Sequence, residues 1–193
     1  MPSRSSDPFG ECLDAAVRRI VSAVRAADRS NPAVVIDGRS GAGKSTLARR
    51  VAENWPLDVS VQLVALDSFY PGWDGLAEGG RIAVDEVLGP HSRGESGVWN
   101  RWDWELDTAA ESHTVDPALG LIVEGCGALT RDAAAVADVR VWVDGPAASR
   151  KHRALERDGD GFRPHWDRWA AQEDAHIRAH DPVELASIVV TVP

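Results

Sequence analysis

The sequence predicts an α/β fold in which a mostly parallel sheet is covered by helices on both faces. Three observations carry this. Short apolar runs of strand length alternate with stretches of helical periodicity, the pattern of successive βαβ units. Four runs end in an acidic residue, Asp37, Asp67, Glu124 and Asp144, each followed by loop residues. Open α/β sheets bind ligands at the carboxyl ends of their strands, so these acids mark one end of the sheet as the site. The first run leads directly into a glycine-rich loop and then a helix. At 193 residues the chain is expected to form one domain, 1–193, that buries its core without cross-links.

Each element follows from local pattern. Between Glu11 and Asp28, Leu13, Val17, Ile20, Val21 and Val24 recur at helical spacing, and Asn31-Pro32 ends that helix. Ala33 to Ile36 is a buried strand closing at Asp37-Gly38. Lys44 to Asn54 reads as a helix stopped by Pro56, and Val59 to Leu66 as a second strand. Residues 71–105 are rich in Gly and Trp. They read as loop, a short helix near Arg81 to Leu88, and an irregular insertion. Leu119 to Val123 and Val139 to Val143 are the third and fourth strands. Residues 147–157 and about 165–179 are helical, and Ser187 to Val192 is a terminal strand.

Composition removes several function classes. The formal charge of −9 argues against non-specific nucleic-acid binding, which needs a positive field. No apolar run approaches the ~18 residues of a membrane span, so no membrane association is expected. Met1 to Gly10 has no apolar segment of the secretory type. Cys12 and Cys126 form no pair motif, which fits a reducing, cytoplasmic setting. Lysine is scarce: Lys44 and Lys151 stand against 19 arginines. Tryptophan supplies eight of the twelve aromatic residues, clustered at Trp99 to Trp104 and at Trp166 and Trp169.

Gly38-Arg39-Ser40-Gly41-Ala42-Gly43-Lys44-Ser45 fits G-x-x-x-x-G-K-[ST] at every fixed position, between a strand and a helix. The glycines let the backbone curl into a nest of N–H groups, and the helix N-terminus adds partial positive charge. Lys44 reaches the β- and γ-phosphates of a nucleotide, Ser45 offers a hydroxyl to Mg²⁺, and Thr46 lies toward the α-phosphate. The fold expected is therefore the three-layer P-loop NTPase arrangement. Asp67 is the candidate base, Glu124 is placed on the metal side, and Ser45, Asp67 and Glu124 are the candidate metal residues. Asp37 is placed as a brace of the loop.

Arg150, Arg153 and Arg157 share one helical face and could neutralise a transferring phosphoryl group, with residues 146–164 as a lid. The competing reading is a solvated helix balanced by Glu156, Asp158 and Asp160. Arg101, Trp102 and Asp103, with Phe69 and Tyr70, are candidate acceptor contacts; Trp102 or Trp104 could stack on a ring. A satellite core beneath the loop explains the same tryptophans equally well. Trp166 and Trp169 read as packing, Glu173 as a weak site candidate, and His176 and His180 as surface residues without a third ligand.

The run Ile36 to Leu47 resembles the P-loop kinases of the uridine kinase, phosphoribulokinase and pantothenate kinase group. Asp67-Ser68-Phe69-Tyr70 is similar to the D-x-F-Y element of uridine kinases, and Val123-Glu124-Gly125 to their V-x-E-G segment. Val141 to Asp144 with Arg150, Arg153, Arg157 and Asp158 resembles their strand, R-x-x-R helix and arginine-bearing lid. The resemblance covers roughly 33–163. It implies ATP and Mg²⁺, a small-molecule acceptor hydroxyl (a nucleoside first), and Asp67 as base. The F-D-H-P type element of uridine kinases is missing; Trp99 to Glu105 stands in its place.

Two alternatives stay open. One is a nucleoside monophosphate kinase whose Arg81, Arg93 or Arg101 grips the acceptor phosphate. The other is a nucleotide-dependent switch or adaptor, though the chain lacks both N-K-x-D and Leu-Ser-Gly-Gly-Gln. Expected partners are the nucleotide and the acceptor; a homodimer is left open.

Overall fold

The computed structural model describes residues 7–193. Helix α1 (Pro8–Ala26) starts on a proline, whose fixed φ suits the first helical turn. It buries Leu13, Val17, Ile20 and Val24, the stripe its periodicity predicts. Strand β1 (Ala33–Gly38) is buried along its whole length, and helix α2 (Lys44–Glu53) follows the glycine loop. Strand β2 (Val61–Ala65) runs into a single 3₁₀ turn, Leu66–Ser68, which carries Asp67.

Helix α3 (Leu76–Ile82) continues through wider, π-type turns at Ala83–Leu88 into the short α4 (Gly89–Ser92). The helix expected near Arg81 thus begins about a turn earlier. Strands β3 (Gly97–Asp103) and β4 (Thr108–Val115) form an antiparallel hairpin. This corrects the irregular insertion expected there. Gly97 and Trp99 face inward and alternate with exposed Val98 and Asn100, so Trp99 and Trp102 lie on a strand and Trp104 in the turn that follows. Strand β4 is exposed over most of its length and carries almost no apolar signal.

Strand β5 (Gly120–Glu124), helix α5 (Arg131–Val136) and strand β6 (Val139–Asp144) complete the central units. Helix α6 (Ala147–Phe162) bends at Gly159, whose φ of 60° is left-handed. Helix α7 (Trp166–His180), the short α8 (Pro182–Leu185) and strand β7 (Ile188–Thr191) close the chain.

Five strands form one parallel sheet in the order β2-β5-β1-β6-β7. Alternating side chains of β1 divide the core. Val34 and Ile36 pack with Leu13, Ile20, Leu47 and Val51 from α1 and α2. Ala33 and Val35 pack on the other face, in a cluster with Leu76, Val87, Phe162 and Trp169. Helices on both faces make three layers, and they leave the carboxyl ends of β1, β2 and β5 to meet at one edge. Among the described residues no helix is long and apolar enough to cross a membrane.

Candidate active site

The glycine loop is shaped by close approach. A Cβ on Gly38 would lie 2.0 Å from the Val143 carbonyl oxygen, and one on Gly41 would lie 2.0 Å from that of Arg150. Only glycine fits where these backbones touch. Lys44, the first residue of α2, is buried, and its Nζ donates to the Arg39 carbonyl at 3.2 Å and to Cys126 Sγ at 3.2 Å. Burial alone would lower its pKa. Cys126 and then the carboxylates Glu124, Glu173 and Asp67 outweigh that and hold it above the ordinary lysine value.

A ring of polar groups fixes the loop from behind. Asp37 is fully buried and accepts from the Gly38 and Gly127 amides at 2.6 and 2.9 Å through Oδ1. Its Oδ2 meets the Leu129 amide at 2.8 Å and His176 Nε2 at 2.9 Å. It is therefore a brace, as the sequence indicates, and His176 is a buried partner rather than a surface residue. Glu173, also buried, accepts from the Ser40 amide at 2.7 Å, while Arg39 reaches Asp174 at 2.6 Å. Helix α7 is stapled to the loop by these bonds.

Arg150 and Arg153 are bonded to the backbone of the loop and lie outside the cavity lining. Arg150 is buried; it donates to the Gly145 and Ser40 carbonyls at 3.0 and 3.2 Å and pairs with Asp144 at 3.0 Å. Arg153 donates to the Gly41 carbonyl at 2.8 Å and to the Pro193 carbonyl at 2.9 Å, its guanidinium lying over the Phe9 ring. Both hold carbonyls on the outer side of the loop. Arg157, one turn further along α6, does line the cavity, held by Asp158 through two bonds of 2.7 and 2.6 Å.

A cavity of about 580 Å³ opens in front of the loop. Ser40, Gly41, Gly43, Lys44 and Ser45 form its near wall. Gly38, Ala42 and Thr46 lie outside the lining: Ala42 is fully buried in the core and Gly38 is occupied by strand contact. Asp67 and Glu124 enter from the neighbouring strand tips. Asp67 is exposed, whereas Glu124 is buried. Burial raises the Glu124 pKa, opposed by Lys44 and aided by Asp67. Cys126, on the same wall, has its thiol pushed up to about 12 by burial, so it stays neutral.

The far wall is aromatic: Tyr70, Trp73, Trp104, Phe162 and Trp169. Tyr70 donates its hydroxyl to the Cys126 carbonyl at 2.7 Å, and its ring meets Trp169 edge-on at 4.8 Å. Trp104 Nε1 donates to the Asp67 carbonyl at 3.3 Å. Of the hairpin residues, Trp104 lines the cavity and Arg101, Trp102 and Asp103 do not. Arg101 pairs with Glu111 at 2.6 Å, and Asp103 accepts the Glu105 and Leu106 amides at 3.0 Å to shape the hairpin turn. Trp102 likewise does not line the cavity, and Phe69 packs inside against Trp99 at 5.1 Å. Trp73 and Phe162 carried no motif, and Trp169 was expected only to pack. Its spacing on α7 from Glu173, which holds the loop, is the one sequence signal that pointed inward.

The donor set also bears on Mg²⁺. Ser45 and the carboxylates of Glu124 and Asp67, all lining the cavity, are hard oxygen ligands. No cluster of three or more His, Cys, Asp or Glu suited to a metal occurs among the described residues.

No protein-family model matches the chain, and no curated protein matches it in sequence. Solved structures do. A possible uridine kinase from Bacillus stearothermophilus superposes with a TM-score of 0.64 at 17% identity, covering 93% of this chain and 97% of that one. A protein provisionally named a fructose transport system kinase, from Silicibacter sp. TM1040, gives 0.57 at 19% identity, covering 92% and 98%. The chain therefore has the fold of P-loop kinases over nearly its whole length.

Proposed function

We propose that this protein transfers the γ-phosphoryl group of ATP to a hydroxyl of a small molecule, with a nucleoside as the first acceptor to consider. One observation carries the reading: a single cavity runs from Lys44 and Ser45, past Asp67 and Glu124, to an aromatic wall able to hold an organic acceptor. The kinase fold of both structural neighbours supports it.

In this reading the amides of residues 41–45 and the Lys44 ammonium hold the β- and γ-phosphates. Ser45 and Glu124, with Asp67 nearby, would hold Mg²⁺, which supplies charge neutralisation when bound. Asp67 accepts the proton of the acceptor hydroxyl as its oxygen bonds to the γ-phosphorus. The bond from that phosphorus to the bridging oxygen breaks, and ADP leaves. Arg157, held at the cavity wall by Asp158, screens charge on the transferring group. Arg150 and Arg153 keep the loop in shape and do not touch it. Such ATP chemistry suits the cytoplasm.

A monophosphate acceptor is disfavoured. Arg81 is paired with Glu78 and Asp85, Arg93 with Glu95 and Arg101 with Glu111, and none of the three lines the cavity. The test is a screen of nucleosides, nucleoside monophosphates and small hydroxylated metabolites for ADP release, with Lys44→Ala as the blank. Release with a nucleoside supports the proposal. Release only with monophosphates, or none above the blank, contradicts it.

A further inference from the structure

We propose that the far end of the cavity selects its acceptor by stacking on ring faces rather than by hydrogen-bonding to ring edges. The substrate class is then an alcohol bearing a flat ring whose identity is loosely specified. This rests on the phosphoryl-transfer reading of the same cavity and names the acceptor it takes.

Two observations support it. First, the indoles are set as a box. Trp73 is its centre, with the His165 ring stacked on it at 4.1 Å from outside the cavity lining, and with Trp104 at 5.1 Å, Phe162 at 5.7 Å and Trp169 at 6.2 Å. Trp104 remains 41% exposed, although its Nε1 is tied to the backbone of Asp67. A partly exposed indole that lines the cavity and is fixed to the turn carrying the candidate base is placed to hold a ring while a hydroxyl of the same molecule meets Asp67.

Second, the groups that read ring edges are absent or occupied. No Asn, Gln or His side chain lines the cavity among the described residues. Gln172, on α7, donates to the Trp73 carbonyl at 2.7 Å and accepts from the Leu76 amide at 3.3 Å. The Tyr70 hydroxyl is donated to Cys126, and both Asp158 oxygens are taken by Arg157. Magnitude separates the two modes. A site built to bond a polar group rejects an analogue lacking it by about 10⁴-fold or more, whereas stacking is tolerant because every base has a π-face.

The test is calorimetric binding of uridine, adenosine and ribose to the protein loaded with a non-hydrolysable ATP analogue. Uridine and adenosine, whose edges differ, should bind within ~100-fold of each other, with ribose at least ~10-fold weaker than either. Trp104→Leu should weaken both nucleosides ~10-fold and leave ribose and the ATP analogue unchanged, and Trp104→Phe should restore most of the loss. The proposal is overturned if ribose binds as tightly as the nucleosides or if neither nucleoside binds. It is equally overturned if one nucleoside is preferred by more than ~10³-fold, or if Trp104→Leu changes nothing. Because binding is read without turnover, the two readings fail separately. Nucleosides that bind but never release ADP refute the kinase reading alone, and ADP release that is equal with ribose and nucleosides refutes the stacking proposal alone.

Discussion

At the loop end of the cavity, the groups that would meet phosphate come from one contiguous stretch, Gly38 to Ser45. At the far end the rings come from Tyr70, Trp73, Trp104, Phe162 and Trp169, on four elements or loops. The loop end is held rigid by bonds to Asp37, Arg150, Arg153 and Glu173. The aromatic end is held mainly by ring-on-ring contact. Phosphate binding needs several backbone amides aimed at one point, and a short motif can encode that. A flat surface needs only large side chains brought together, which any sufficiently long-range packing achieves. A protein of this fold can therefore change its acceptor end while its loop end stays recognisable.

Substitutions at each end sharpen the contrast. The largest effect is expected from Lys44→Ala, which removes the buried ammonium facing the phosphates and should cut ADP release by about 10³-fold or more, read in a coupled assay. Asp67→Asn should lower kcat by about 10²–10⁴-fold while the affinity for ATP, measured by calorimetry, stays within error. An unchanged kcat would remove Asp67 from the proton step.

Arg150 and Arg157 separate bracing from chemistry. Arg150→Met leaves the Ser40 and Gly145 carbonyls and Asp144 without their buried partner. It should cost about 2–4 kcal/mol of stability in urea unfolding. Arg157→Ala breaks only an exposed pair with Asp158, so stability should hold within about 0.5 kcal/mol while kcat falls. The reverse pattern would restore Arg150 to the reacting group.

The smallest expected effect is on metal dependence. Burial raises the Glu124 pKa, so its carboxylate takes up a proton at a higher pH than a surface glutamate would. The charged form favours Mg²⁺. The magnesium concentration giving half-maximal rate should therefore rise as pH falls, with a midpoint above the ordinary value of about 4.3. A flat dependence down to that value would take Glu124 off the metal.

How much could be read in advance follows the same division. The parallel strands and both flanking layers were legible because buried strands are unbroken apolar runs and α1 carries a clean stripe. The hairpin was not. Strand β4 is exposed on almost every residue, so no periodicity marks it, and β3 hides its alternation among tryptophans. In the site, Lys44, Ser45, Asp67, Glu124 and Arg157 were found from spacing and strand ends. Arg150 and Arg153 share a helical face with Arg157, yet the loop carbonyls of Ser40 and Gly41 capture them, pairings 110 and 112 residues apart that spacing on one helix cannot reveal. Trp73 and Phe162 were missed because a lone aromatic carries no chemical signature until its neighbours are known.

The central claim is that the cavity joins a phosphate-holding loop to an acceptor hydroxyl through Asp67. Phosphorus NMR of the protein with Mg-ATP and a ring-bearing alcohol such as uridine tests it most directly. The γ-phosphorus signal should be replaced by a phosphomonoester signal with the wild-type chain and persist with Asp67→Asn. Formation of inorganic phosphate alone, or an ATP spectrum that never changes, would contradict it.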